Sequence, residues 1–178
     1  IAALCSLFAN VYASSSVTTI DSINKILDDS DLLNIDNSFQ IFNNYSVQND
    51  SILIKHLNSY IQIAEQNNNS IKNFNGKYLL GMYYAHKHDY NSAKQKLTEA
   101  ENIAKTDPQF ISSLYNLALL SIETNYYLEA LEYLRQLKQI VVTNNDTYIH
   151  AKVLLQEGFC YTQLEKYKLC QKLCGQYK

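Results

Sequence analysis

Proline and glycine are nearly missing from this chain: 178 residues hold one Pro and four Gly, with no Trp and one Met. Turn-rich sandwiches and barrels need those residues at their corners, so their scarcity excludes both and leaves an all-helical chain. Charge is equally sparing. Lys plus Arg number 15 against 17 Asp plus Glu, for a formal charge of −2. No basic stripe offers a footprint for nucleic acid. Length allows one domain or one repeat array, and a hydrophobic content of 47% suffices for a buried core. What is plentiful is Asn and Tyr, with an Asn67-Asn68-Asn69 run. That bias, with Ile and Lys, is the signature of an AT-rich genome, so single Asn residues carry little functional weight.

Long apolar runs are also scarce, with one exception at the start. Residues 1–13, IAALCSLFANVYA, are almost wholly apolar and precede Ser14-Ser15-Ser16. Val11 and Ala13 stand where a signal peptidase takes small residues. The chain opens on Ile with no basic region ahead, so residues 1–13 read as a signal peptide that has lost its first residues. Leu4 is too large to precede a lipidated Cys5. No later stretch reaches the roughly 20 apolar residues of a membrane span. The expectation is an exported chain, periplasmic or extracellular, with no membrane span once processed.

The organising pattern begins near Tyr78. Helical spacing of Leu80, Tyr84, Tyr90, Leu97 and Ala100 predicts two helices, Tyr78–Lys87 and Tyr90–Lys105, with a corner at His88-Asp89. Gly81 and Ala93 are small residues that let them approach. The frame recurs: Gly81, Ala118 and Gly158 stand 37 and 40 residues apart. Twelve residues after each comes Ala93, Ala130 or Cys170. Tyr90, Tyr127 and Tyr167 precede those by three, and Leu97, Leu134 and Cys174 follow by four. Three copies in one register mark a helical repeat array.

In these positions the chain resembles the tetratricopeptide repeat family over residues 70–175. The resemblance implies antiparallel helix pairs stacked as a right-handed superhelix, an α-α solenoid. Departures are visible. The family repeat is usually 34 residues, so the spacing here implies a longer second helix. Lys77 stands where the other copies have Leu114 and Leu154, and Ser121 where they have Tyr84 and Tyr161. The Sel1-like relatives carry a Gly-containing insertion that is missing here. Residues 14–69 form an N-terminal helical segment, with a short helix capped by Asp21 and a clearer one opened by Asp50 or Ser51. They lack the motif, since Asn44 and His56 occupy its small positions. Residues 70–178 are read as three helix pairs. Asp107-Pro108 opens the second pair, and Asp146 or Thr147 caps the third. That pair turns after about Leu164 and returns to Cys174.

Chemistry was sought and weighed. His86-Lys87-His88 face different ways on a helix, and His56 and His150 lack partners at ligand spacing. No phosphate loop, G-x-S-x-G or H-E-x-x-H occurs. Glu99, Glu101, Glu129 and Glu132 read as solvating acids. The reading is therefore non-enzymatic, with no catalytic residues, cofactor or metal. Cys170 and Cys174 read as small core residues, or as a disulfide to another segment or partner if the chain is exported. Sequons occur at Asn44, Asn49, Asn68 and Asn145.

The family's usual work, implied by the resemblance, is to hold a peptide or partner protein in the groove lined by the first helices. Carried across, that frame assigns Tyr78, Met82 and His86, then Tyr115, Leu119, Ile122 and Glu123, then Leu155, Phe159 and Gln163, with Lys152 at the helix start. The family's clamp for chaperone tails needs Lys and Asn where Tyr78 and Met82 stand. Asn116 and Lys152 fit that clamp, but the missing half excludes it. An apolar strip remains, suited to a segment with large apolar side chains. The expected function is an exported interaction scaffold. The alternative is a regulatory or targeting repeat domain of a larger, possibly enzymatic chain. Mass spectrometry of the mature protein is expected to find a new N-terminus near Ser14. An intact apolar segment on a cytosolic protein would refute export.

Overall fold

A computed structural model describes residues 50–175 together with Ile23, Asn24 and Leu27; the side chains of Tyr167 and of residues 169–175 are not described. The signal segment, most of the 14–49 stretch, the sequons at Asn44 and Asn49, and the Cys170 and Cys174 thiols therefore lie outside the described residues. Within them the backbone forms six helices: α1 Asp50–Gln66, α2 Ser70–His86, α3 Tyr90–Ile103, α4 Asp107–Glu123, α5 Tyr127–Thr143 and α6 Thr147–Gly175. Pro108 falls in the first turn of α4, where its missing N–H leaves no helical bond unmade. The cap is one residue earlier than expected, at Thr106, and Asp107 lies in the first turn.

Four of the five connections are built alike. In Asn67-Asn68-Asn69, Lys87-His88-Asp89, Thr124-Asn125-Tyr126 and Asn144-Asn145-Asp146 the middle residue adopts positive φ, at 53°, 59°, 65° and 55°. Among non-glycine residues Asn enters that left-handed region most readily, because its short amide bonds locally. Three of the four are Asn, so part of the Asn bias serves conformation. The third residue of a turn then caps the next helix. Asn69 accepts from the Lys72 N–H (3.0 Å), Asp89 from Ser92 (3.2 Å) and Asp146 from Ile149 (2.9 Å), each satisfying an orphan donor.

Each helix packs on its neighbours in the chain, and α2 also touches α4. This is an all-α stacked-helix array of the helical-repeat kind. The closest approach lies between α2 and α3. A Cβ at Gly81 would sit 2.8 Å from Leu97 Cγ and 3.1 Å from the Leu97 backbone nitrogen. Between α1 and α2 the same task falls to Gly76, where a Cβ would meet Ile61 Cγ1 at 2.7 Å. That explains why α1, without a small residue at the repeat position, still docks closely. One core runs through α1–α3 and takes in Ile23 and Leu27; a second joins α4, α5 and α6.

Charged pairs tie the layers from outside. Lys77 reaches Glu65 of α1 at 2.9 Å and Glu99 of α3 at 3.6 Å, which accounts for a Lys where the repeat expects a large apolar residue. Lys94–Glu129 (2.6 Å) spans α3 and α5, and Lys138–Glu157 (2.7 Å) spans α5 and α6. Glu99 and Glu129 are thus inter-helix partners rather than solvating acids.

The third helix pair does not form. α6 runs unbroken from Thr147 to Gly175 and contains no turn at Leu164. The cause is local. The positive-φ residue follows the small residue of the repeat by seven positions, at His88 after Gly81 and at Asn125 after Ala118. The equivalent position after Gly158 is Glu165, a strong helix former with no means of favouring the left-handed region. Cys170 consequently does not face Gly158. Twelve residues of helix put them about 18 Å apart along the axis.

Gly81 and Gly158 then make a matched pair of tests. Adding a methyl group gains up to about 1 kcal/mol of helix propensity at either site. At Gly81 the overpacking cost of about 1–3 kcal/mol wins, because one neighbour is backbone and cannot give. At Gly158 nothing lies within 4 Å. Gly81→Ala is expected to lower the melting temperature by several degrees and Gly158→Ala to raise it slightly, measured by circular dichroism.

Candidate functional site

The expected groove strip divides sharply between interior and surface. Tyr78 is fully buried and Met82 is 2% exposed. Tyr78 stacks on Phe74 at 5.6 Å, and its hydroxyl accepts a 2.6 Å bond from the Asn116 amide. Asn116 donates also to the Ser112 carbonyl at 2.9 Å, so the position that the family's clamp would use is engaged in joining α2 to α4. Tyr115 is buried as well, at 7% exposure. These three residues are core, not groove. Their burial follows from the α1–α3 core and from Ile23 and Leu27, which share it. Asn75 Nδ2 donates to the Leu27 carbonyl at 2.8 Å, and Tyr60 Oη donates to the same oxygen at 3.3 Å. His56 and Asn24 meet at 2.7 Å.

The remaining strip residues reach the surface in part. His86, Leu119, Ile122, Phe159 and Gln163 are half-buried, Glu123 is exposed, and Leu155 is exposed. Lys152 is half-buried, its ammonium 4.7 Å from the Tyr148 ring centre. His86, Lys87 and His88 do not converge. Lys87 pairs with Asp50 at 3.0 Å and His88 Nδ1 bonds the Tyr90 hydroxyl at 3.0 Å. Among the described residues no three His, Cys, Asp or Glu side chains come together as a metal site, and no helix is long and apolar enough to cross a membrane.

The surface opens instead at the α4–α5 turn. A cleft of about 680 Å³ is lined by Lys94 of α3, Asn125 to Glu129 at the start of α5, and Leu164 and Lys168 of α6. Tyr126 and Leu128 stand 66% and 73% exposed in it. They are exposed because the core-facing stripe of α5 starts from Tyr127 and runs through Ala130, Leu134 and Leu137; the residues on either side of Tyr127 point outward. Only Phe159 of the expected strip lies near this cleft, its ring edge-on to Tyr127 at 6.4 Å. Glu129 is held at the cleft's base by Lys94 and by the Ser121 hydroxyl at 3.3 Å. The result is an apolar floor bounded by two lysines, with no nucleophile–base pair within it. The signal available in the sequence was the Tyr126-Tyr127-Leu128 run, two of whose members fall off the apolar stripe.

Compared with family models, curated proteins and solved structures, the chain matches none.

Cys160 sits fully buried in the α4–α6 core and is unpaired. Burial pushes its thiol up to about 11, so almost no nucleophilic thiolate exists near neutrality. It is expected to resist iodoacetamide at pH 8 in the native state and to react once the chain is unfolded, read by peptide mass spectrometry.

Proposed function

We propose that the chain is an exported, non-enzymatic interaction scaffold of tetratricopeptide type. It holds a partner protein segment with large apolar side chains in the cleft between the α4–α5 turn and α6. The observation that carries this reading is the exposure of Tyr126 and Leu128 over an open cleft of about 680 Å³. Exposed apolar side chains gathered on one concavity mark interaction surfaces. Aromatic anchors supply most of the affinity in such contacts. Lys94 and Lys168 at the margins favour a segment that carries acidic residues beside its apolar ones. Support for the repeat type comes from the shared register of Gly81, Ala118 and Gly158 and from the close approach of Gly81 to Leu97. Support for export comes from the apolar residues 1–13 ending in Val11-Tyr12-Ala13.

The test is capture of partner from the secreted or envelope fraction of the source organism. Tyr126→Ala with Leu128→Asp is expected to abolish capture while changing stability by less than about 0.5 kcal/mol, as surface substitutions generally do. Ile63→Asp, on the exposed side of α1, should leave capture intact. Equal capture by all three proteins would refute the cleft. Tyr115→Ala should instead destabilise the fold by about 3 kcal/mol or more, as truncation of a buried aromatic does.

A further inference from the structure

The first half of α6 carries an apolar stripe that nothing covers. Ala151, Leu154, Leu155, Gly158 and Tyr161 follow one another at three- and four-residue steps and so share one face. All are exposed, Leu154 at 48%, Leu155 at 66% and Tyr161 at 57%. Their register equivalents in α4 are Ile111, Leu114, Tyr115, Ala118 and Ser121, every one of them buried. In α2, Phe74, Tyr78 and Gly81 are buried likewise. In both earlier copies the helix that follows in the chain lays a small residue and a Leu onto this stripe, Ala93 and Leu97 or Ala130 and Leu134, all with no exposed surface. On α6 that place stands open, and a Cβ at Gly158 would meet nothing within 4 Å.

The chain does encode the missing helix. Tyr167, Cys170 and Cys174 repeat the spacing of Tyr90, Ala93 and Leu97 and of Tyr127, Ala130 and Leu134. Yet the segment that carries them continues α6 straight on. At 29 residues α6 is longer than the 17-residue α5 by twelve, about 18 Å of helix axis. With Glu165 in place of a left-handed turn residue, the segment cannot fold back on its own chain without breaking the helix.

We propose that the 165–175 segment occupies the Gly158 stripe of a second copy, and the second copy's segment the first's. The chain is then a dimer by reciprocal exchange of the end of α6. Two α6 helices run antiparallel, and each supplies the second helix that the other's third repeat lacks. The contact is isologous and closes on itself, as two-fold exchange requires. Apolar side chains left open in the single chain become covered, which supplies the driving force. The exchange face is separate from the partner cleft and does not depend on it.

The experiment is light scattering on the full chain under reducing conditions, so that no disulfide contributes. Wild type is expected at twice the 20.5 kDa chain mass. Gly158→Leu puts its side chain into open space in the single chain, so its melting curve should stay cooperative while the mass halves. Glu165→Asn installs the residue used at Asn68, Asn125 and Asn145; it should let the turn form and also halve the mass, with helicity retained. A monomeric wild type overturns the proposal. So does a dimer that persists in Gly158→Leu, which would place the contact elsewhere, or one that persists in Glu165→Asn, which would remove the exchange.

Discussion

The array depends on how closely consecutive helices approach, and that distance is set by single missing side chains. At Gly81 the neighbouring Leu97 fills the space that a Cβ would take, and at Gly76 Ile61 does the same. Dispersion attraction falls off steeply with separation. A gap of one methyl group between helices would therefore weaken many side-chain contacts at once. α2 is wedged on both flanks in this way, which makes it the helix on which α1, α3 and the Leu27 region all bear. Its burial of Tyr78 and Met82 is a consequence: a helix gripped from both sides has little left to offer a partner.

Turn chemistry decides where the stack ends. A left-handed residue at the middle of each turn reverses the chain within three residues, and Asn or His supplies it four times. One Glu at the fifth opportunity is enough to turn a hairpin into a single long helix. The energy involved is small, of the order of 1–2 kcal/mol for a non-glycine residue in the left-handed region. The architectural effect is nonetheless large, because the turn determines whether the α6 stripe is covered by its own chain. Polar groups follow the same logic of local compensation. Lys77 breaks the apolar pattern but bridges Glu65 and Glu99, and the buried Asn116 joins two first helices through Tyr78.

Function follows from what this packing leaves over. The first helices of the array are consumed by the core, so the surface available for recognition shifts to the C-terminal end. There α5 begins with two outward apolar residues and α6 overhangs. Both the partner cleft and the exchange stripe lie on α6, yet they use different sides of it: Leu164 and Lys168 line the first, Gly158 and Tyr161 the second. Partner capture and self-association are thus separable properties of one helix.

The sequence by itself determined the helix class, five of the six helices to within a few residues of the described ends, and the small-residue register. These rest on periodicity and on Gly and Pro usage, which act through neighbours one turn away. It also marked Cys160 as lying off the Gly158 face. It did not reveal which side of each first helix would be covered. Tyr78, Met82 and Tyr115 read as groove residues in the family frame, because a stripe of aromatics looks the same whether it faces solvent or another helix. Only the tertiary structure decided that, through α1, α4 and the Ile23–Leu27 contact, partners 24 to 55 residues distant from Tyr78 along the chain. The continuity of α6 was written in Glu165, but it became legible only once the other turns showed which position must turn left-handed.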